Sequence, residues 1–183
     1  MSAVHLISLT AASYLAPFVS GRFELGRGWV GAQVDFLPAL LVYAALNGGL
    51  GGLAIVAVSG GLLFDSLSGN PAGVSTISLM LAGLSLRHSR ELVLRDAPYA
   101  QGLIGAAVGA AVPLTSWVLQ AALGGNPLAG WGTLVQLAFL AGTSGLATPL
   151  IIRLLDRIER TFGYPRMNES SFRADREIKR GRA

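Results

Sequence analysis

From Ala97 to Ile152 the chain carries no charged residue, a run of 56, and from Phe36 to Leu86 it carries one, Asp65. A water-soluble fold needs charge on nearly every element, whereas a protein of the bilayer needs it only in its loops. With 13% charged residues against about a quarter in ordinary soluble domains, the deficit is large. The charge is also segregated: nine of the fourteen Lys and Arg residues lie between Arg153 and Arg182. These features define an integral membrane protein, with one transmembrane domain over residues 1–160 and a basic tail over 161–183. The basic excess sits beside apolar segments, where it serves orientation and lipid headgroups, so nucleic-acid binding is not expected.

Backbone polar groups inside a bilayer must be paired within the structure, which leaves helices or closed barrels. The apolar runs lack the period-2 alternation of a barrel, so the fold class is all-α. About 20 apolar residues cross the hydrocarbon core. On that basis six spans are expected: residues 3–20, 30–47, 50–65, 74–86, 99–123 and 131–155. The N-terminal segment resembles a signal peptide in length, but no Lys or Arg precedes Leu6, and a retained first helix is the favoured reading over a cleaved signal. The uncharged stretch 36–64 is long for one span and short for two. Asn47-Gly48-Gly49 is a turn signal because glycine accepts positive φ, and it divides the stretch. Without that division five spans would remain.

Basic residues orient the chain. Six spans with both termini in the cytoplasm place Arg87, Arg90, Arg95 and the nine tail cations inside and only Arg22 and Arg27 outside. A five-span arrangement would place all fourteen inside. The tail is cytoplasmic in both.

The chain is poor in catalytic groups. It has no cysteine and two histidines, His5 and His88. There is no HExxH motif, no phosphate loop and no pair of carboxylates in one span, so no metal site and no cofactor are expected. Gly142-Thr143-Ser144-Gly145 has the G-x-S-G form of rhomboid-type serine proteases. That chemistry needs a base, supplied in that family by a histidine from a later helix, and none follows Ser144. Small residues at i, i+4 instead suggest close helix contact: Gly48 with Gly52, Gly105 with Gly109, and Gly142 and Gly145 with neighbouring alanines. Pro38, Pro113 and Pro149 fall within the expected spans, where they kink helices and free carbonyls.

Asp65 is followed by Ser66, Ser68, Gly69, Asn70, Pro71 and Gly73, the residues of turns. A membrane carboxylate is a functional candidate by default. With no second intramembrane charge to pair with, the expectation is an interfacial carboxylate that accepts backbone N–H bonds in a turn.

Three stretches in order, VDFLPALLVYAAL (34–46), GGLLFDSLSGNPAGVSTISLML (60–81) and PLIIRLLDRIER (149–160), give the chain a resemblance to the MreD family, the small bacterial rod shape-determining membrane proteins. Asp65, Gly69, Pro71 and Gly73 match the family's D-x-x-x-G-x-P-x-G turn, and Asp35 matches the Asp that enters the second helix. The family usually has Pro directly before that Asp; here Val34 stands there and Pro38 follows. The resemblance implies a fold like that of the substrate-binding S components of vitamin transporters. It also implies a non-catalytic role in the bacterial inner membrane. The implied partners are MreC and, through the elongation complex that builds peptidoglycan, MreB, RodA and a class B penicillin-binding protein. Asp35, Pro38, Asp65, Gly69, Pro71 and Gly73 become candidate turn or partner-interface residues. The competing class is a small-molecule binding or transport subunit, for which the spans offer Asn47, Thr76, Gln101, Thr115, Gln120, Gln136, Thr143, Ser144 and Thr148 as polar groups.

Overall fold

The computed structural model describes residues 3–22, 34–89, 97–125 and 130–162. Among these the chain is all-helical, with no strand. Six helical segments follow in order: α1 (Ala3–Arg22), α2 (Leu37–Asn47), α3 (Leu50–Ser68), α4 (Val74–His88), α5 (Pro98–Ala122) and α6 (Trp131–Phe162).

Contacts between helices fix their directions. Ser20 near the end of α1 accepts the Phe36 N–H at the start of α2. Gly60 in α3 lies against Leu37, so α3 runs back along α2. Gly61 lies against Thr76 at the start of α4, and Arg87 at the end of α4 donates to the Gly48 carbonyl between α2 and α3 at 3.0 Å. Ser116 of α5 donates to Ser78 of α4 at 2.9 Å, and Gly105 of α5 packs on Thr148 of α6. The helices therefore alternate between two ends of the bundle. One end carries Gly48, Arg87 and Glu159; the other carries Asp35, Asp65 and the 69–73 turn.

Among the described residues, length and composition alone qualify three helices to cross a membrane, α3, α5 and α6, and the other three fall short. The second segment is the clearest case. Its helix starts at Leu37, is 11 residues long and buries ten of them. At 1.5 Å per residue it spans about 17 Å, against a hydrocarbon core of about 30 Å. It is a core helix enclosed by the others. Residues 30–33 of the expected second span lie outside the described residues.

The long helices have the inside-out surface of a bilayer protein. Leu103, Leu146 and Leu150 are 73%, 75% and 64% exposed. Such a display on a water-soluble monomer would be an association surface. Tyr99 and Trp131, at the starts of α5 and α6 and so at opposite ends, are also exposed, as aromatic residues are at the two membrane interfaces.

Several expected boundaries move. The split at Gly48-Gly49 is real, but neither glycine has positive φ; both are extended at −84° and −72°. Glycine is needed at 48 because a Cβ there would stand 2.6 Å from the Ala44 carbonyl oxygen. Pro38 sits in the first turn of α2, where the lost N–H has no helical acceptor anyway, so it starts a helix and does not kink one. Helix α3 continues through Asp65 to Ser68 and contains one π-helical turn, Val56–Gly60. Arg153 does not end α6. Ile152 and Leu155 are buried and Ile151 and Ile158 pack against the core, a helical period that carries α6 to Phe162. The basic tail from 163 onward lies outside the described residues.

Candidate functional site

Asp65 is 1% exposed. Its position in the last turn of α3 aims the carboxylate at the start of α4. Oδ2 accepts the Gly73 N–H at 2.8 Å, and Ser75 N–H lies at 3.2 and 3.3 Å from the two oxygens. Gly73 is the N-cap residue of α4 and has no side chain to cap with. Asp65 supplies the missing acceptor from the preceding helix, and its charge faces the positive end of the α4 dipole. The hydrogen-bonding role expected for Asp65 is thus present. The carboxylate is enclosed within the protein, because helix α3 extends past Asp65 and α4 closes over it.

The turn explains its own sequence. Gly69 ends α3 with φ +67° and Gly73 begins α4 with φ +98°, both left-handed. The chain needs both to reverse in the five residues 69–73, and side chains other than glycine are strained there. Pro71 is exposed, and its carbonyl accepts the Val74 N–H at 3.3 Å. Asp35, at the same end of the bundle, caps α2: its Oδ1 accepts the Leu37 N–H at 2.9 Å. Asp35 precedes the helix, and burial pushes its carboxyl up to about 6, with the Leu37 hydrogen bond opposing the rise.

Between Asp35, the C-terminal half of α5 and the N-terminal part of α6 lies a cavity of about 680 Å³, within the size range of small-molecule sites. Its origin is the changing separation of α5 and α6. In their other halves the two helices are in backbone contact. A Cβ on Gly105 would stand 2.0 Å from Thr148 Oγ1, one on Gly109 2.5 Å from Ser144 Cβ, and one on Gly145 3.0 Å from the Gly102 carbonyl. The same helix faces continue as Val112, Pro113, Ser116, Trp117 and Gln120 on α5 and as Leu140, Leu137 and Thr133 on α6, and there they line the cavity.

The packing expectations divide. Gly105, Gly109 and Gly145 do bring helices together. Gly142 does not, since a Cβ there meets nothing within 4 Å. Gly48 and Gly52 do not share a helix face, because the break at 48–49 separates them; Gly52 is buried in the first turn of α3. Sequence reasoning missed Gly61, the closest approach of α3 to another helix's backbone, whose Cβ would stand 2.7 Å from Thr76 Cα. It also missed Gly102. The pair Gly60-Gly61 and the period 102, 105, 109 were the available signals.

At the opposite end a second polar cluster ties three helices together. Glu159 of α6 pairs with His5 of α1 and accepts the Tyr43 hydroxyl of α2 at 2.9 Å. Nothing in the spacing of residues 5, 43 and 159 signals it.

Ser144 is fully buried and its Oγ has no hydrogen-bond partner, so no base is placed to take its proton. No group of three metal-ligating side chains occurs among the described residues. Comparison with protein-family models, with curated proteins and with solved structures finds no match.

Proposed function

We propose that the protein is a non-catalytic membrane subunit of the bacterial cell-elongation complex, an MreD-like scaffold that binds an MreC-like single-span partner. Through that partner it connects to MreB, RodA and a class B penicillin-binding protein in peptidoglycan synthesis. The observation that carries this reading is the Asp65 turn. The residues on which the resemblance rests, Asp65, Gly69, Pro71 and Gly73, form one built unit, with the carboxylate committed to backbone N–H groups and not available as a base or ion carrier. Membrane lipid surrounds the apolar faces of α3, α5 and α6.

In the proposed topology the six helices run alternately between the two faces of the inner membrane, the short α2 enclosed by its neighbours, and both termini are cytoplasmic. The support is the alternation of helix directions together with the concentration of cations on one side. The chain lacks cysteine, so single cysteines at Ser2 and Ala183 test it: both are expected to react only with reagents that reach the cytoplasm. Labelling at residue 2 from outside alone would leave five crossings.

The functional test is complementation. Depletion of the protein is expected to turn rods into spheres, and Ser144→Ala is expected to restore rods at wild-type protein levels. Loss of shape with a normal level of Ser144→Ala protein would point to catalysis.

A second reading, a small-molecule binding subunit resembling the S components, is favoured by the cavity alone.

A further inference from the structure

The cavity between α5 and α6 is built with features that a lipid-exposed packing defect does not need. It carries a carboxylate, Asp35, and two aromatic rings, Phe64 and Trp117. The Trp117 indole N–H is buried and has no hydrogen-bond partner. A buried donor left unmade costs about 1–3 kcal/mol, so this one calls for an acceptor. Among the described residues that line the cavity, Asp35 is the one charged side chain. Carboxylate and aromatic faces together are the chemistry that recognises organic cations. Leu114 and Leu134, on either side of the gap between α5 and α6, are 50% and 58% exposed. The cavity therefore opens sideways through an apolar edge, the route of entry for a molecule with an apolar body.

We propose that this cavity binds a cationic amphiphile: its apolar body lies between the diverging faces of α5 and α6, its ammonium group meets Asp35, and an oxygen acceptor on the molecule takes the Trp117 N–H. The inference goes beyond the scaffold role and does not depend on it, since a scaffold and a transport subunit can each hold such a ligand. The three groups also divide the recognition cleanly. Asp35 sets the preference for charge, Trp117 the affinity for the oxygen, and the helix faces the affinity for the chain.

Three matched probes test it on the full chain purified in detergent: octyl glycinate (cation and ester), octyl acetate (the same ester without charge) and monooctyl succinate (anion and ester). The readout is the saturable rise in thermal midpoint followed by circular dichroism. Octyl glycinate is expected to half-saturate at roughly ten-fold lower concentration than either other probe, the scale of one partly desolvated charge contact. Asp35→Asn keeps the oxygen that accepts the Leu37 N–H and is expected to erase that preference. Trp117→Phe is expected to weaken the glycinate and the acetate alike and to leave the preference intact. Leu137→Trp, which fills the cavity, is expected to abolish the saturable shift for all three. Equal effects of the three head groups on the unaltered chain would overturn the proposal, because a void that takes any alkyl chain is not a cation site. A glycinate preference that survives Asp35→Asn would overturn it as well. The head-group comparison needs no variant, so a poorly folding substitution does not remove the test.

Discussion

Asp65→Leu is expected to be among the most damaging single substitutions in the chain, and Asp65→Asn is expected to be much milder. Leucine fits the apolar surroundings but leaves the Gly73 and Ser75 N–H groups without the acceptor they have now. Each buried donor so abandoned costs about 1–3 kcal/mol, and the α4 start loses its cap as well. Asparagine retains one acceptor oxygen and loses the charge, for a loss of about 1 kcal/mol. Thermal unfolding in detergent at matched protein levels distinguishes the two, with cell shape as the functional readout. If the Asn variant folds normally yet fails in cells as completely as the Leu variant, the charge itself has a role that the turn does not explain.

Gly105→Ala carries the second large effect. The added methyl would stand 2.0 Å from Thr148 Oγ1, 2.7 Å from its Cβ and 2.8 Å from the Ser144 carbonyl oxygen. The two side-chain atoms belong to a β-branched residue with a restricted rotamer whose hydroxyl donates to Ser144 O at 2.7 Å, and the third is backbone. Relief requires α5 and α6 to separate, at an expected loss of about 1–3 kcal/mol. Gly142→Ala is the matched control on the facing helix. It meets open space, and alanine favours helix over glycine by about 1 kcal/mol, so its thermal midpoint is expected to hold or rise. Thr148→Ala introduced beside Gly105→Ala is expected to recover part of the loss, a coupling that a double-mutant cycle reads directly. Equal effects of Gly105→Ala and Gly142→Ala would show that the glycines act through helix propensity and not through contact.

The contrast between these two glycines shows what the amino-acid sequence made legible. Spacing places residues on a helix face but does not say which face meets a neighbour, so Gly105 and Gly142 look alike until the helices are docked. Charge depletion marked the six helical segments in the right order, because that signal needs no docking. It overstated α2, since an apolar run enclosed by other helices and one facing lipid have the same composition. The Asp65 turn was readable in outline from Gly69, Pro71 and Gly73, residue types tied to one backbone conformation. Its burial was not, because that depends on α4 folding back across it. The Glu159 cluster and the cavity join residues more than a hundred positions apart, and no local rule reaches that far.

The most direct test of the proposed scaffold role is affinity capture of the tagged full-length chain from native membranes in mild detergent, followed by identification of stoichiometric partners. Recovery of a single-span MreC-like protein in constant ratio is the predicted result, unchanged in Ser144→Ala. Recovery of the chain with a bound vitamin and the energising subunits of a transporter, and without such a partner, would contradict it.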